Sequence, residues 1–377
     1  MFMHRKRPAG RTSVLALSTL AALGSVAARP AAAQFAVTNL VSDQPGVAIL
    51  TDPGLINAWG VSFNGGSPFW VSSNGVGVSN LYRVNPVTNA PSKVGLIVTI
   101  PGDGSVTGQV ANPNTPAGSF NADNFLFVSE DGTVSGWRGA LGTTAENLQL
   151  ANPANSYKGV ASGVVGGHTY LYAANFATGN VDVLKGDAGA PSLAGNFVDP
   201  TLPSGFAPFN VQRLGTKIYV TYALVGPTGD DVAGPGNGFV SAFDLNGNFL
   251  GRVGTMGDLN SPWGLALAPT SFGPIAGDLL VGNFGDGRIN IFDPVADTFL
   301  GQLTNPGGSP VTIDGLWALT VGNNGNGGSS NKLYFSAGPG GESHGLFGLV
   351  QAVPEPGTYA MLAGLLLPGL ALARRRR

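Results

Sequence analysis

Asn74, Glu130, Asn175 and Asn283 each close a short apolar run, in FWVSSN, FLFVSED, YLYAANF and DLLVGNF. One carboxylate and three amides offer the oxygen atoms that a hard divalent cation such as Ca²⁺ accepts. Asn at a strand end also favours a turn by bonding its own backbone, so both readings stand. Other reactive side chains are sparse. His168 lies in VVGGHTYLY and His344 in GESHGLF, each in a hairpin-like turn, and His4 lies in the first basic segment. The chain has no Cys, which excludes disulfides, thiolate nucleophiles and Cys metal sites. A Ser-His-Asp triad would depend on one of two histidines. No G-x-S-x-G elbow, phosphate loop, H-E-x-x-H or strand-to-helix G-x-G-x-x-G occurs. Adjacent carboxylates occur at Glu130–Asp131 and Asp230–Asp231. Neighbours on a strand point to opposite faces, so Glu130 and Asp131 do not naturally share a site. The Asp230 pair sits in GPTGDDVAGPGNG, read as a solvated loop, with a Ca²⁺ loop as the alternative.

Three kinds of segment recur in a fixed order and must position these residues. The first joins a small or aromatic residue to an aliphatic one, as in WGVSF at 59–63, KGVAS at 158–162 and PWGLAL at 262–267. The second is the apolar run that carries the four candidates. A third follows a Gly-rich turn and ends near an aromatic, as in GRINIFD at 287–293. The first segments align on Val61, Val110, Val160, Val211, Leu265 and Leu319, so the copies follow one another at a nearly constant interval. The second copy is the weakest match.

The units alternate short strands with Gly, Asn, Asp and Pro turns, and no helical period appears in the body. A unit too small to bury its own faces stacks on its neighbours. Six four-stranded units closing in a ring predict an all-β, six-bladed β-propeller over residues 34–352. A pair of β-sandwiches would not require so regular a period. After HGLFGLV the sixth unit lacks an outer strand, and FAVTNLV at 35–41 is the segment expected to supply it.

Charge separates the body from the ends. Residues 34–353 carry twenty acidic against ten basic residues, a net charge near −10. Such a body repels phosphate backbones, which argues against nucleic-acid binding. The segment 1–33 instead holds a basic start, the apolar VLALSTLAALGSVAA and a small-residue AAA, the pattern of a secretory signal peptide for the general secretion machinery. Cleavage is expected between Ala33 and Gln34. At the other end, residues 353–377 combine Pro354, Glu355 and Pro356, an uncharged stretch at 357–373, and Arg374, Arg375, Arg376 and Arg377. At a rise of about 1.5 Å per residue that stretch approaches the hydrocarbon thickness of a bilayer, so a single transmembrane helix is predicted. The arginines would stay cytoplasmic, with the body on the far side.

FDLNGNFLG at 243–251, FDPVADTFLG at 293–301 and YRVNPVT at 82–88 resemble the hairpins of NHL-type propellers. The body as a whole resembles an uncharacterised six-bladed propeller family that carries PEP-type C-terminal sorting signals. The triplet, helix and basic cluster resemble that signal itself. The resemblance implies that exosortase, a membrane transpeptidase of Gram-negative bacteria, recognises Pro354, Glu355 and Pro356 and then releases or re-anchors the body. The body would thus be transiently held at the inner membrane before reaching the cell surface or the medium. A non-catalytic binding or scaffold role, associated with exopolysaccharide and needing no cofactor, is the function expected. The alternative is a hydrolase resembling the lactonase-like propellers, with a divalent cation held in the axial channel by Glu130, Asn74, Asn175 and Asn283.

Overall fold

Short apolar runs broken by Gly and Asn turns can bury their two faces only against other runs of the same kind. The computed structural model, which describes Met1 and residues 33–353, is built on this constraint. The predicted signal segment before Ala33, the triplet Pro354, Glu355 and Pro356, the apolar tail and Arg374 to Arg377 lie outside the described residues. Among the described residues, no helix is long and apolar enough to cross a membrane.

The chain opens with β1 (Gln34–Ser42) and the short β2 (Leu50–Thr51). Blade one follows as β3 (Ala58–Ser62), β4 (Phe69–Ser73), β5 (Val78–Val84) and β6 (Pro91–Thr99). Blade two comprises β7 (Val106–Ala111), β8 (Phe125–Ser129), β9 (Val134–Trp137) and β10 (Glu146–Gln149). Blade three has only β11 (Tyr157–Val165), β12 (His168–Asn175) and β13 (Asn180–Lys185). Blade four is β14 (Phe206–Leu214), β15 (Lys217–Leu224), β16 (Gly238–Asp244) and β17 (Phe249–Thr255). Blade five is β18 (Pro262–Leu267), β19 (Leu279–Asn283), β20 (Ile289–Asp293) and β21 (Thr298–Gln302). The last strands are β22 (Leu316–Val321), β23 (Leu333–Ala337) and β24 (Leu346–Val353).

β1 completes the sixth blade. It pairs antiparallel with β24 from Gln34↔Val353 to Ser42↔Leu346, as the sequence predicts, and β2 adds a parallel edge beyond it. Gln34, the residue after the predicted cleavage point, is therefore the first residue of the closing strand. The inner strands β3, β7, β11, β14, β18 and β22 touch in that order, and β22 touches β3, so the ring is closed. Six apolar clusters fill the gaps between successive blades, and a seventh lies on the axis.

Two details depart from a uniform four-stranded repeat. Blade three lacks the expected outer strand. Its position is covered by the irregular segment 187–204, from which Phe197 packs on Tyr172 at 5.1 Å and on Phe243 at 5.5 Å. The second departure recurs in every blade. The inner strand bulges against its neighbour at one equivalent place, between Ala58 and Val61, Val106 and Gln109, Tyr157 and Gly159, Pro208 and Asn210, Pro262 and Gly264, and Leu316 and Leu319. The glycine of the first segments belongs to this bulge. A Cβ on Gly60 would lie 2.6 Å from the Thr107 carbonyl oxygen, and one on Gly264 would lie 2.6 Å from that of Trp317. Inner strands approach one another too closely there for a side chain.

Leu40 and Val41 are fully buried in the cluster between blades six and one. Leu40→Ala is expected to lower the unfolding free energy by about 2–5 kcal/mol. Deleting Gln34–Ser42 is expected to abolish the single cooperative transition in scanning calorimetry. An unchanged melting midpoint in the deletion variant would refute closure by β1.

Candidate functional site

A bulge turns a strand residue that would lie in the ladder toward a new direction. Five of the six inner-strand bulges carry a large side chain: Trp59, Lys158, Phe209, Trp263 and Trp317, with Thr107 in blade two. The four aromatic rings, with Phe176 and Phe284 from the ends of β12 and β19, pack as the axial cluster. Trp317 is at its centre. It stacks on Trp59 at 3.7 Å and on Phe284 at 3.9 Å, and meets Trp263 edge-on at 5.9 Å. Its indole N–H donates to Asn57 Oδ1 at 3.0 Å. At this level the axis is filled by rings.

Lys158 is the one charged residue among the bulge positions. Its side chain is 5 % exposed, and its ammonium lies 5.7 Å from the Trp59 ring and 6.0 Å from that of Phe176. It donates to Glu130 Oε1, and Asp230 Oδ1 lies 3.6 Å away. Glu130 Oε2 also accepts from Asn74 Nδ2 at 3.4 Å. Asn57 Nδ2 donates to Glu342 Oε2 at 2.6 Å and to Asn74 Oδ1 at 3.2 Å. Glu130, Lys158, Asp230, Asn155, Ser156 and Phe176 help line a cleft of about 450 Å³ beside the plug.

Of the four predicted site residues, the structure brings Asn74 and Glu130 together and separates the other two. Asn175 spends its amide on Asn155 at 2.9 Å and Asp182 at 2.8 Å, and its carbonyl on the Ser156 N–H. Asn283 donates to the Asp258 carbonyl at 2.8 Å and to Asp286 at 3.0 Å. Both hold strand ends and loops in place. Among the described residues, no group of three or more Asp, Glu or His side chains has metal-binding spacing. Asp131 turns away from Glu130, as expected, and accepts the Thr133 and Asp103 N–H groups. The loop holding Asp230 and Asp231 is solvated, as the sequence suggested, and the Asp230 side chain is 71 % exposed. It folds back through Gly226 N–H to Asp230 O at 2.7 Å and sets Asp230 at the Lys158 ammonium. His168 and His344 pair with Asp187 and Asp43, at 2.9 and 2.8 Å, in their own turns.

Lys158, Asn57 and Glu342 were missed. A signal for the first exists in the aligned segments, where the position two before the aliphatic reads Trp59, Gly108, Lys158, Phe209, Trp263 and Trp317. A lysine in a column of rings is out of place unless a carboxylate meets it. Burial holds the Glu342 carboxyl above its ordinary range despite the Asn57 amide, and the Glu130 charge adds to the effect. Burial likewise raises Asp231, even against the Lys158 charge. The mouth is therefore one buried ammonium among several carboxyl groups, two of which resist ionisation.

With this geometry in hand, two uncharacterised proteins of Acanthamoeba polyphaga mimivirus are similar along most of their length. One is 31 % identical over 314 residues, covering 77 % of this chain and 74 % of the viral protein. The other is 30 % identical over 330 residues, covering 82 % and 83 %. This chain belongs to their family. No protein-family model matches it. Among solved structures, a Penicillium chrysogenum α-L-arabinanase complexed with arabinobiose superposes with a TM-score of 0.51 at 13 % identity, over 84 % of this chain and 97 % of the enzyme. A structure described as glucose dehydrogenase gives 0.50 at 13 % identity, over 85 % of this chain and all of the other. These likenesses establish the propeller fold.

As a turn residue, Glu130 would tolerate replacement; as the partner of a buried ammonium it should not. Glu130→Gln is expected to cost about 1–3 kcal/mol in denaturant unfolding, because Lys158 keeps its charge and loses its best acceptor. The double variant Glu130→Gln/Lys158→Met should recover most of that loss. Glu342 supplies a pH signature. A folded-state pKa raised above the ordinary 4.5 gives stability that is present below that value and lost as pH rises through the folded one. The melting temperature should fall across this range on approach to neutral pH, and Glu342→Gln should flatten the profile.

Proposed function

We propose that this protein is an exported, surface-destined propeller that binds polysaccharide without cleaving it. The observation that carries the reading is the pairing of Lys158 with Glu130, with Asp230 at 3.6 Å. The protein's own ammonium takes up the charge of the carboxylates that a catalytic cation would need, above an axis packed with aromatic rings. The body's net charge near −10 does not favour a nucleic-acid partner. Export rests on the N-terminal segment that ends at Ala33, acting through the general secretion machinery. The tail supports sorting by an exosortase at Pro354, Glu355 and Pro356, after residues 357–373 hold the chain in the inner membrane of a Gram-negative envelope.

A second reading, a hydrolase or lactonase with a divalent cation in the channel, has one observation in its favour. Asp231 and Glu342 are carboxyls held above their ordinary range near Glu130. A carboxyl whose environment holds its proton more tightly than usual is suited to act as a general acid. Incubating the exported protein with an oligosaccharide and polysaccharide panel separates the two. Retention without cleavage products in mass spectrometry, and no heat on titration with millimolar Ca²⁺ or Mn²⁺, is the expected result. Metal-dependent cleavage would overturn the binding reading.

Sorting has its own test. Glu355→Ala, or loss of Arg374 to Arg377, should leave export intact and stop C-terminal processing. Mass spectrometry of mature protein from normal cells should show a shortened C-terminus, and an intact one would sink the proposal.

A further inference from the structure

At the opposite end of the axis from Lys158, the C-terminal ends of the inner strands surround a second cavity. It measures about 470 Å³, within the size range of small-ligand sites. Its lining contains no Asp or Glu, in contrast to the charged mouth.

The polar groups on this wall divide into those already engaged and those left over. Gln109 is engaged: its amide donates to the Gly60 carbonyl at 2.8 Å and its oxygen accepts from Ser79 at 2.9 Å. Among the described residues, no hydrogen bond uses the side-chain amides of Asn64 or Gln212, although both line the cavity. Arg213 spends only its Nε, on the Gly215 carbonyl at 3.1 Å, and meets no carboxylate among the described residues. Ser62, 9 % exposed, lines the same wall, and its hydroxyl has no partner there. Asn64 and Ser62 come from blade one and Gln212 and Arg213 from blade four, which face each other across a six-membered ring.

We infer that this cavity binds an acidic sugar unit of a polysaccharide, a hexuronate. The inference deepens the binding reading above and rests on it. An amide both donates and accepts, which is what a hydroxyl requires of a partner. A guanidinium that forms no ion pair among the described residues matches a carboxylate in a two-pronged geometry. Val61 and Phe63, on the same wall, offer apolar contact to the C–H face of a pyranose. The charged mouth lacks this combination, because its carboxyl groups repel a uronate.

The test uses the exported protein, with tetragalacturonate and neutral maltotetraose as probes in calorimetry. Wild type is expected to prefer tetragalacturonate. Arg213→Gln should weaken that probe about tenfold or more and leave maltotetraose unchanged. Gln212→Leu should weaken both. If the wild type binds glycans and Arg213→Gln takes tetragalacturonate as tightly as wild type, this inference falls while the binding reading stands. If the wild type binds no glycan in the wider panel, the binding reading falls, and this inference with it.

Discussion

In all six blades the inner strand bulges against its neighbour, and the backbone groups freed there need partners. Buried carbonyls and N–H groups cannot be left unpaired without a cost comparable to a lost hydrogen bond. Here, side chains from other blades supply the bonds. Gln109 of blade two donates to Gly60 of blade one, Asn210 of blade four to Trp263 of blade five at 2.7 Å, and the Trp263 indole to Lys158 of blade three at 3.1 Å. Ser336 of blade six donates to the Trp59 carbonyl of blade one. The bulges thus do two things at once: they aim large side chains at the axis, and they tie the blades together by polar contacts that no single blade could satisfy.

That arrangement explains why an ammonium can sit buried beside rings. Removing a charge from water is costly unless hydrogen-bonded partners of opposite sign are already in place. Glu130 comes from the end of β8 and Asp230 from the loop after β15, in the two blades that flank the bulge of β11 on either side. Both reach Lys158 through the stacking of neighbouring blades, whereas the bond from Asn57 to Glu342 exists only because the ring closes. The mouth is a product of closure as much as of its own sequence.

The sequence made the repeat legible because each blade buries both faces, and the period survives even where individual motifs drift. Closure by β1 was legible for the same reason: a unit short of a strand, and a strand short of a unit. The missing outer strand of blade three was not, since an irregular segment carrying Phe197 covers the same apolar surface without a ladder. At the site, equivalence in the repeat does not amount to proximity. Asn175 and Asn283 do occupy the same place in their blades as Glu130, but a position after a strand end serves turns and axis alike, and local acceptors such as Asp182 and Asp286 decide which. Asn57 and Glu342 meet from opposite ends of the propeller sequence, a contact that no local pattern encodes.

The pairing of Gln34 with Val353 has a consequence for the order of events during synthesis. The first strand of the ring to leave the ribosome must wait for the last, since its partner β24 is the final strand of the propeller. Until then β1 is an unpaired edge, and the apolar walls of blades one and five stay open where the sixth will seat. Bringing ends so distant together carries the entropy of a long loop, and contacts of such high sequence separation slow folding. The ring therefore cannot lock while any of its length is still being made. A ring that closes this late becomes rigid only once its final strand has arrived.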